Sequence, residues 1–314
     1  MRPITSCNGV EREEPKGKMA TIRVCHHVRS ISGSSRPQLV YCDDAEFYVA
    51  KFLERVEGTR YLVAEYLGSQ LARIVGLPVP ECRILELGDF CLSGCVNAPW
   101  DKARSAADIP DFPIDCSPGL YFGSRFFVKT AGSMTTDILP SAWLARVSNL
   151  KTFPGILAFD AWVENSSPRK VVFHRPSRGS EFTANFINFD RSLANATWRS
   201  DSTAGQSVYQ NVSVYRDVTG WESFEPYLSR IVTLTPDKLW RIAKQVPAEW
   251  CEGEPYELER VVETLLARRS KLHHIINSTI KLRAEGFQHW APIKCWSNVQ
   301  VQPVECVPVP LGMS

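Results

Sequence analysis

Residues 48–52 read Tyr-Val-Ala-Lys-Phe, an apolar run interrupted by one lysine. Aromatic and β-branched residues favour a strand, so Lys51 is predicted at the end of one. Apolar residues then recur at helical spacing, at Val63, Leu67, Leu71 and Ile74. This spacing predicts a helix over residues 59–75 that ends at Gly76. Glu65 lies on the adjacent stripe of that helix, among small and apolar residues, where a carboxylate needs a partner.

The pair of Lys51 and Glu65 has two interpretations. The two residues can be an ordinary strand-end lysine and a partly exposed glutamate. Kinase folds, however, use such a lysine to contact nucleotide phosphates and such a glutamate to orient the lysine. A small-residue loop one hairpin earlier, with Gly33, Ser34 and Ser35, favours the second interpretation, because such loops let backbone N–H groups approach phosphate oxygens. The same three residues also suit a plain turn.

A second region has the order of elements that surrounds a kinase catalytic loop. Helical patterning over 139–164 leads into the polar stretch 165–169, and a hairpin with strands at 170–174 and 182–189 follows. Kinases place their catalytic loop and a metal-binding carboxylate in such a helix, loop and hairpin. The alternative is a helix–hairpin junction without catalytic function.

The rest of the chain adds strands before this region and helices after it. Besides the strand of Lys51, which is predicted to span 47–53, strands are predicted at 21–29, 38–42, a pair over 83–92, and 119–129. Further helices are predicted at 221–231, 235–246 and 256–282. The basic residues on the last of these helices, Arg268, Arg269 and Lys271, are expected to face solvent.

Composition excludes several classes of function. The chain has 314 residues, 44% hydrophobic and 22% charged, and its net charge of +2 gives no electrostatic case for nucleic-acid binding. No apolar run approaches the roughly 18 residues that span a membrane. Residues 1–18 lack the apolar core of a secretory signal, and translation from Met19 is an alternative start. A cytoplasmic protein with reduced cysteines is therefore expected, and the ten cysteines form no Cys-x-x-Cys pair typical of zinc sites.

Three stretches together resemble the HipA-like kinase family. They are residues 48–52 with 71–80, residues 153–165, and residues 246–250 with 265–269. The resemblance implies an α+β, two-lobed protein-kinase-like fold that binds ATP between its lobes. The small N-lobe is an antiparallel sheet with one helix, and the larger C-lobe is mainly helical. The expected division is a tail at 1–18, the N-lobe at 19–95, a connector at 96–118, the C-lobe at 119–296 and an extended tail at 297–314.

The family resemblance also implies roles for individual residues. Lys51 holds the phosphates, Glu65 is its partner, and the phosphate loop consists of Gly33, Ser34, Ser35 and Arg36. It further suggests that a serine of this loop is autophosphorylated, which would disrupt the loop by charge and bulk.

The sequence departs from the family pattern where chemistry would occur. The family's catalytic loop resembles Asn-Thr-Asp-Arg with a second asparagine further on, whereas this chain has Asn165, then Ser167 in place of the aspartate, and Val172 near the later position. The family's metal-binding stretch resembles Ile-Asp-x-Gly, and here Asn188 stands in place of that aspartate. Asp190, two residues on, falls on the same face by alternation and is the candidate Mg²⁺ ligand.

These replacements leave three hypotheses. Asparagine offers Mg²⁺ a neutral oxygen where the ion prefers a carboxylate, and serine does not accept a substrate proton as a carboxylate does. A pseudokinase that binds nucleotide with weak or absent phosphoryl transfer is therefore favoured. The first alternative is an active serine/threonine kinase that uses Asp160, Glu164 or Asp190 instead. The second is an interaction scaffold without nucleotide, and in every case the protein partner or substrate is unidentified.

Overall fold

The computed structural model describes residues 21–31, 37–52, 58–88, 117–127, 130–193, 206–251 and 256–292. The predictions for both tails, for the loop from Gly33 to Arg36 and for most of the connector lie outside these residues. No helix in the described ranges is long and apolar enough to cross a membrane.

Five strands form a closed barrel near the start of the chain. The strands are β1 (Ile22–Ser30), β2 (Gln38–Cys42), β3 (Phe47–Lys51), β4 (Cys82–Leu87) and β5 (Gly119–Arg125). Their order is β1-β2-β3-β5-β4, and only the closing β1–β4 pair is parallel. Closure leaves no unpaired sheet edge. Of the strand pair predicted over 83–92, the described residues contain β4, and residues 89–92 lie outside the described ranges.

Helix α1 (Arg60–Ile74) lies between the barrel and the helices that follow it in sequence. It contacts β4 and β5 on one side and α4 (Pro236–Ala243) on the other. Glu65 is only 1% exposed because this helix is covered on more than one face. The predicted stop at Gly76 is correct, and the residue has the left-handed φ of +87° that favours glycine.

Side-chain bonds fix α1 along its length to the later part of the chain. Contacts occur near its first turn, near its middle and just after its end. They join Thr59 Oγ1 to the carbonyl of Trp250 (2.8 Å), Arg60 to Glu257 (2.6 Å), the Tyr66 hydroxyl to Gln245 (3.0 Å), and Arg230 to the carbonyl of Val75 (3.0 Å). These bonds tie α1 to the later part of the chain, in addition to its packing contacts with β4 and β5 of the barrel.

We call residues 130–292 the helical part. Its centre is α2 (Thr152–Val163), in which every residue is buried. Around it pack α3 (Tyr227–Thr233), α5 (Tyr256–Arg268) and α6 (Leu272–Leu282). A three-stranded antiparallel sheet follows the order β6-β7-β8, with β6 at Met134–Thr136, β7 at Lys170–Arg175 and β8 at Thr183–Ile187. The β7–β8 pair confirms the predicted hairpin.

Two predicted helices are each broken in the structure. The helix predicted over 221–231 is a 3₁₀ helix at Trp221–Phe224 followed by α3, because Pro226 lies between them and lacks the N–H of a continuous helix. The helix predicted over 256–282 is α5 and α6, separated by a 3₁₀ turn at Arg269–Lys271.

The expectation that Arg268 faces solvent is also wrong. Its guanidinium donates to the carbonyls of Ala161 and Trp162 at the end of α2, at 2.8 and 2.9 Å, and lies 3.1 Å from the Glu164 carboxylate. The Arg268 side chain packs against the end of α2 because the last carbonyls of a helix have no N–H partner within that helix and accept bonds from other groups.

Candidate functional site

Lys51 and Glu65 form an ion pair where β3 meets α1. The lysine ends β3 opposite Phe122 of β5, so its side chain leaves the barrel next to α1. Both residues are buried, and the contact makes each the counter-charge of the other. Burial of a charge is costly without such a partner, which explains why a glutamate occurs on this apolar stripe.

Two polar residues that follow β8 complete the surroundings of Lys51. Lys51 Nζ donates to Asn188 Oδ1 at 3.0 Å and lies 3.7 Å from Asp190 Oδ2. The Asn188 amide in turn donates to Asp190 Oδ1 at 2.8 Å. We call Lys51, Glu65, Asn188 and Asp190 the lysine cluster. It places one cationic group among two carboxylates and an amide, and Lys51 is the group in it that suits a phosphate.

Phe189 connects this cluster to the body of α1. Its backbone N–H donates to the second oxygen of Glu65 at 2.9 Å. Its side chain packs against Gly68, where an added Cβ would lie 2.5 Å from the Phe189 Cβ. Gly68 is therefore required by close approach, and it lets the 188–190 segment lie directly on α1.

The loop at 164–169, where the catalytic loop is predicted, contains neutral side chains bonded to each other. Asn165 is buried, and its Oδ1 accepts from both the backbone N–H and the hydroxyl of Ser167 at 3.2 Å. The Asn165 amide donates to the Ser167 carbonyl at 3.0 Å. Ser166 bonds to the carbonyl of Arg191 at 3.1 Å, which joins the loop to the segment after β8. These contacts define the shape of the loop but provide no carboxylate at Ser167.

The carboxylate that begins this loop and the one in the helix before it are both held by arginines. Asp160 receives bonds from Nε and Nη2 of Arg169, and both side chains are fully buried. Burial raises the pKa of Asp160, and the Arg169 guanidinium opposes that rise. Glu164, in a left-handed conformation with φ of +55°, pairs with Arg268. Of the three replacement carboxylates considered from the sequence, Asp190 is the one that lies in the lysine cluster.

The arrangement fits a divalent metal only in part. No group of three or more His, Cys, Asp or Glu side chains in the described ranges is placed to hold a metal ion. Mg²⁺ in phosphate-transfer sites is commonly held by one or two carboxylates together with substrate phosphates. Asp190 with the Asn188 amide oxygen would supply such a partial site, and a bound Mg²⁺ would neutralise phosphate charge there. Val172 lies within β7, paired with Asn185, and provides no oxygen ligand from its side chain.

Arg169 is a site residue that sequence reasoning missed. It ends the polar stretch 165–169, but no role was assigned to it, and its position just before β7 suggests an ordinary polar residue. The available sequence signal was Asp160, the one charged residue of a largely apolar helix. Buried charges need partners, so Asp160 itself predicted a nearby cation without indicating which one.

Comparison with known proteins supports the family resemblance stated from the sequence. Residues 23–172 match the family model described as HipA-like kinase, which confirms the resemblance to that family. The matched range includes Lys51, Glu65 and the 164–169 loop, and ends before Asn188. No curated protein matches the chain.

Two solved structures are similar in fold. The Helicobacter pylori proinflammatory kinase CtkA has a TM-score of 0.54 at 13% identity, over 84% of this chain and 100% of that one. The Golgi casein kinase with Mn/ADP bound has a TM-score of 0.46 at 10% identity, over 88% of this chain and 76% of that one. The similarity to CtkA shows that the chain has an α+β, protein-kinase-like fold.

Proposed function

We propose that the protein binds ATP beside Lys51, in a cleft between an N-lobe at 19–95 and a C-lobe at 119–296 joined by the connector at 96–118. The observation that supports this proposal is the buried Lys51–Glu65 pair, with Asn188 and Asp190 beside it. A lysine ammonium held by a glutamate is a preformed phosphate ligand in kinase folds. In this proposal the loop from Gly33 to Arg36 covers the phosphates, and the protein works in the cytoplasm with an unidentified protein partner.

We further propose that phosphoryl transfer is weak or absent, so that the protein is a pseudokinase. Ser167 and Asn165 are neutral and bonded to each other, and Asp160 and Glu164 are engaged by arginines. Losing one transition-state group commonly lowers a rate by about 10² to 10⁴. Two losses, at Ser167 and Asn188, would leave little activity.

A second candidate is an active serine/threonine kinase in which Asp190 takes the metal-binding role. The observation that favours it is the position of the Asp190 carboxylate, 3.7 Å from Lys51 and 2.8 Å from the Asn188 amide. In this candidate Asp190 would move away from Lys51, so that the Asp190 carboxylate oxygens could bind Mg²⁺. Lys51 would then contact the phosphates.

A calorimetric titration with ATP, with and without Mg²⁺, separates these functions. The variants are Lys51→Ala and, as the matched control, Lys244→Ala, which removes an exposed lysine at the end of α4. We expect metal-independent binding that is lost in Lys51→Ala and retained in Lys244→Ala. Binding that requires both Mg²⁺ and Lys51 would instead favour the active kinase. If the wild-type protein does not bind ATP at all, the interaction scaffold without nucleotide is the hypothesis that remains.

Transfer of labelled γ-phosphate to added protein substrates provides the second measurement. The pseudokinase proposal would be wrong if the wild-type protein transferred phosphate at an ordinary kinase rate, on the order of 1 to 100 per second. If the Ser167→Ala variant then kept that same rate, a residue other than Ser167 would be carrying the reaction, as in the active-kinase candidate.

A further inference from the structure

The peptide between Asn188 and Phe189 is held at its two ends by buried charges of opposite sign. Its carbonyl oxygen accepts from Nη1 of Arg169 at 3.1 Å. Its N–H donates to the Glu65 carboxylate at 2.9 Å. Hydrogen bonds to charged groups are stronger than those between neutral groups, so these two contacts determine which way the peptide faces.

Arg169 is itself fixed by contacts on every side. The same Nη1 also donates to the Ile187 carbonyl at 2.7 Å, and the guanidinium lies over the Phe189 ring, 4.4 Å from its centroid. The other two nitrogens bond to Asp160. Arginine presents its donors in a rigid planar fork, so a guanidinium with all three nitrogens engaged has one orientation.

Stability alone does not account for this buried pair. Placing two charges in a protein interior costs desolvation that their attraction commonly fails to exceed, and apolar residues of similar volume often do as well. Here the pair provides direction, since Asp160 holds the guanidinium and the guanidinium holds two consecutive carbonyls. Those carbonyls flank Asn188, whose φ of +68° lies in the left-handed region, which asparagine adopts more readily than most residues with a side chain.

We propose that Arg169, oriented by Asp160, is a positioning residue of the lysine cluster. By fixing the Asn188–Phe189 peptide it keeps Asn188 in its left-handed conformation, and so places the Asn188 amide and the Asp190 carboxylate against Lys51. Because Arg169 also ends the 164–169 loop, it couples that loop to the cluster through one side chain. The effect on ligand binding rests on the proposed function, whereas the effect on the backbone does not.

The test uses three variants of the full chain. Arg169→Lys keeps the charge but loses the fork, and Asp160→Asn keeps the volume but removes the counter-ion. The matched control is Arg268→Lys, because Arg268 is also ion-paired and also donates to two backbone carbonyls, yet contacts α2 rather than residues 187–189. Each variant is assayed for thermal unfolding, for amide hydrogen exchange and for ATP affinity without Mg²⁺.

We expect Arg169→Lys to speed amide exchange at residues 188–190 and to weaken ATP binding about tenfold. Asp160→Asn should act in the same direction with a smaller effect. Arg268→Lys should leave exchange at 188–190 and ATP affinity unchanged, even where its melting temperature falls by a similar amount. If Arg169 only stabilises the fold, Arg169→Lys and Arg268→Lys should both lower the melting temperature. Amide exchange at residues 188–190 should then be the same in these two variants.

Each remaining outcome bears on one of the two proposals. If wild-type protein does not bind ATP, the proposed function fails, and exchange at 188–190 alone decides the positioning role. A folded Arg169→Lys variant with wild-type exchange at 188–190 overturns the positioning role, whatever its ATP affinity. If Arg169→Lys and Asp160→Asn both fail to fold while Arg268→Lys folds, the pair is purely structural and the inference is likewise overturned.

Discussion

The lysine cluster and the 164–169 loop are joined by Arg169, the last residue of the loop, but use charge in opposite ways. In the cluster, the carboxylates of Glu65 and Asp190 both lie beside the Lys51 ammonium. In the loop, Asn165 and Ser167 are neutral and satisfy each other, while the nearby carboxylates of Asp160 and Glu164 are held by arginines. One region presents a cation beside two carboxylates, and in the other the two nearby carboxylates are each paired with an arginine.

Under the proposed function, holding a nucleotide and reacting it would depend on separate residues. Phosphate anchoring needs a positioned cation, and the buried Lys51–Glu65 pair would supply it. Transfer needs carboxylates at defined places, whereas Ser167 is neutral and Asp160 and Glu164 are paired with arginines. The proposal therefore predicts that binding and transfer respond to different substitutions.

Breaking the lysine cluster should be the most damaging change. Glu65→Ala leaves Lys51 buried without its glutamate and the Phe189 N–H without its acceptor, and removing one partner of a buried pair typically costs about 3 to 5 kcal/mol. Urea unfolding measures the loss. Glu65→Gln, which keeps the shape and one acceptor oxygen, is the control and should lose clearly less. A loss below about 1 kcal/mol in Glu65→Ala would show that the cluster is solvated rather than buried.

Separating α1 from the 188–190 segment should have an intermediate effect. Gly68→Ala places a Cβ 2.5 Å from the Phe189 Cβ. Overpacking of this kind costs about 1 to 3 kcal/mol, which exceeds the gain of up to about 1 kcal/mol from replacing a helical glycine. Thermal unfolding should show net destabilisation, whereas Gly88→Ala, with no atom within 4 Å of the new Cβ, should be close to neutral. Net stabilisation by Gly68→Ala would contradict the close contact.

The 164–169 loop should respond least. Ser167→Ala removes one hydroxyl bond to Asn165 at a half-buried position, and the backbone bond between the two residues remains. We expect a change in unfolding free energy within about 0.5 kcal/mol and an unchanged ATP affinity. Asn165→Ala provides the comparison, because it leaves buried partners unsatisfied and should cost about 1 to 2 kcal/mol. A large loss of ATP affinity in Ser167→Ala would place the loop within the binding site.

Sequence patterns predicted the elements that bring Lys51 and Glu65 together. The strand that ends at Lys51, the helix through Glu65 and the stop at Gly76 each depend on local rules of periodicity and chain termination. The β7–β8 hairpin was predicted for the same reason. Local rules failed for β6, because three residues are too few to show an alternating pattern.

The rest of the site depends on contacts between distant parts of the chain. The Phe189 N–H reaches Glu65 across 124 positions, and such a pairing leaves no periodic signal in the sequence. The periodicity of 256–282 also continued through Arg269–Lys271, where the helix is in fact broken. Burial of Arg268 was missed because its partners, the carbonyls at the end of α2, are backbone atoms that no side-chain pattern reveals.

The bonds that tie α1 to the helical part bear on the speed of ligand binding. A helix held at its start, middle and end does not have to be ordered when a ligand arrives, so binding carries no entropic cost for that step. If the protein binds ATP as proposed, α1 should contribute no slow phase to association, because it needs no rearrangement of its own. In that proposal α1 would form a fixed wall of the cleft, and regulation of binding would act on other elements.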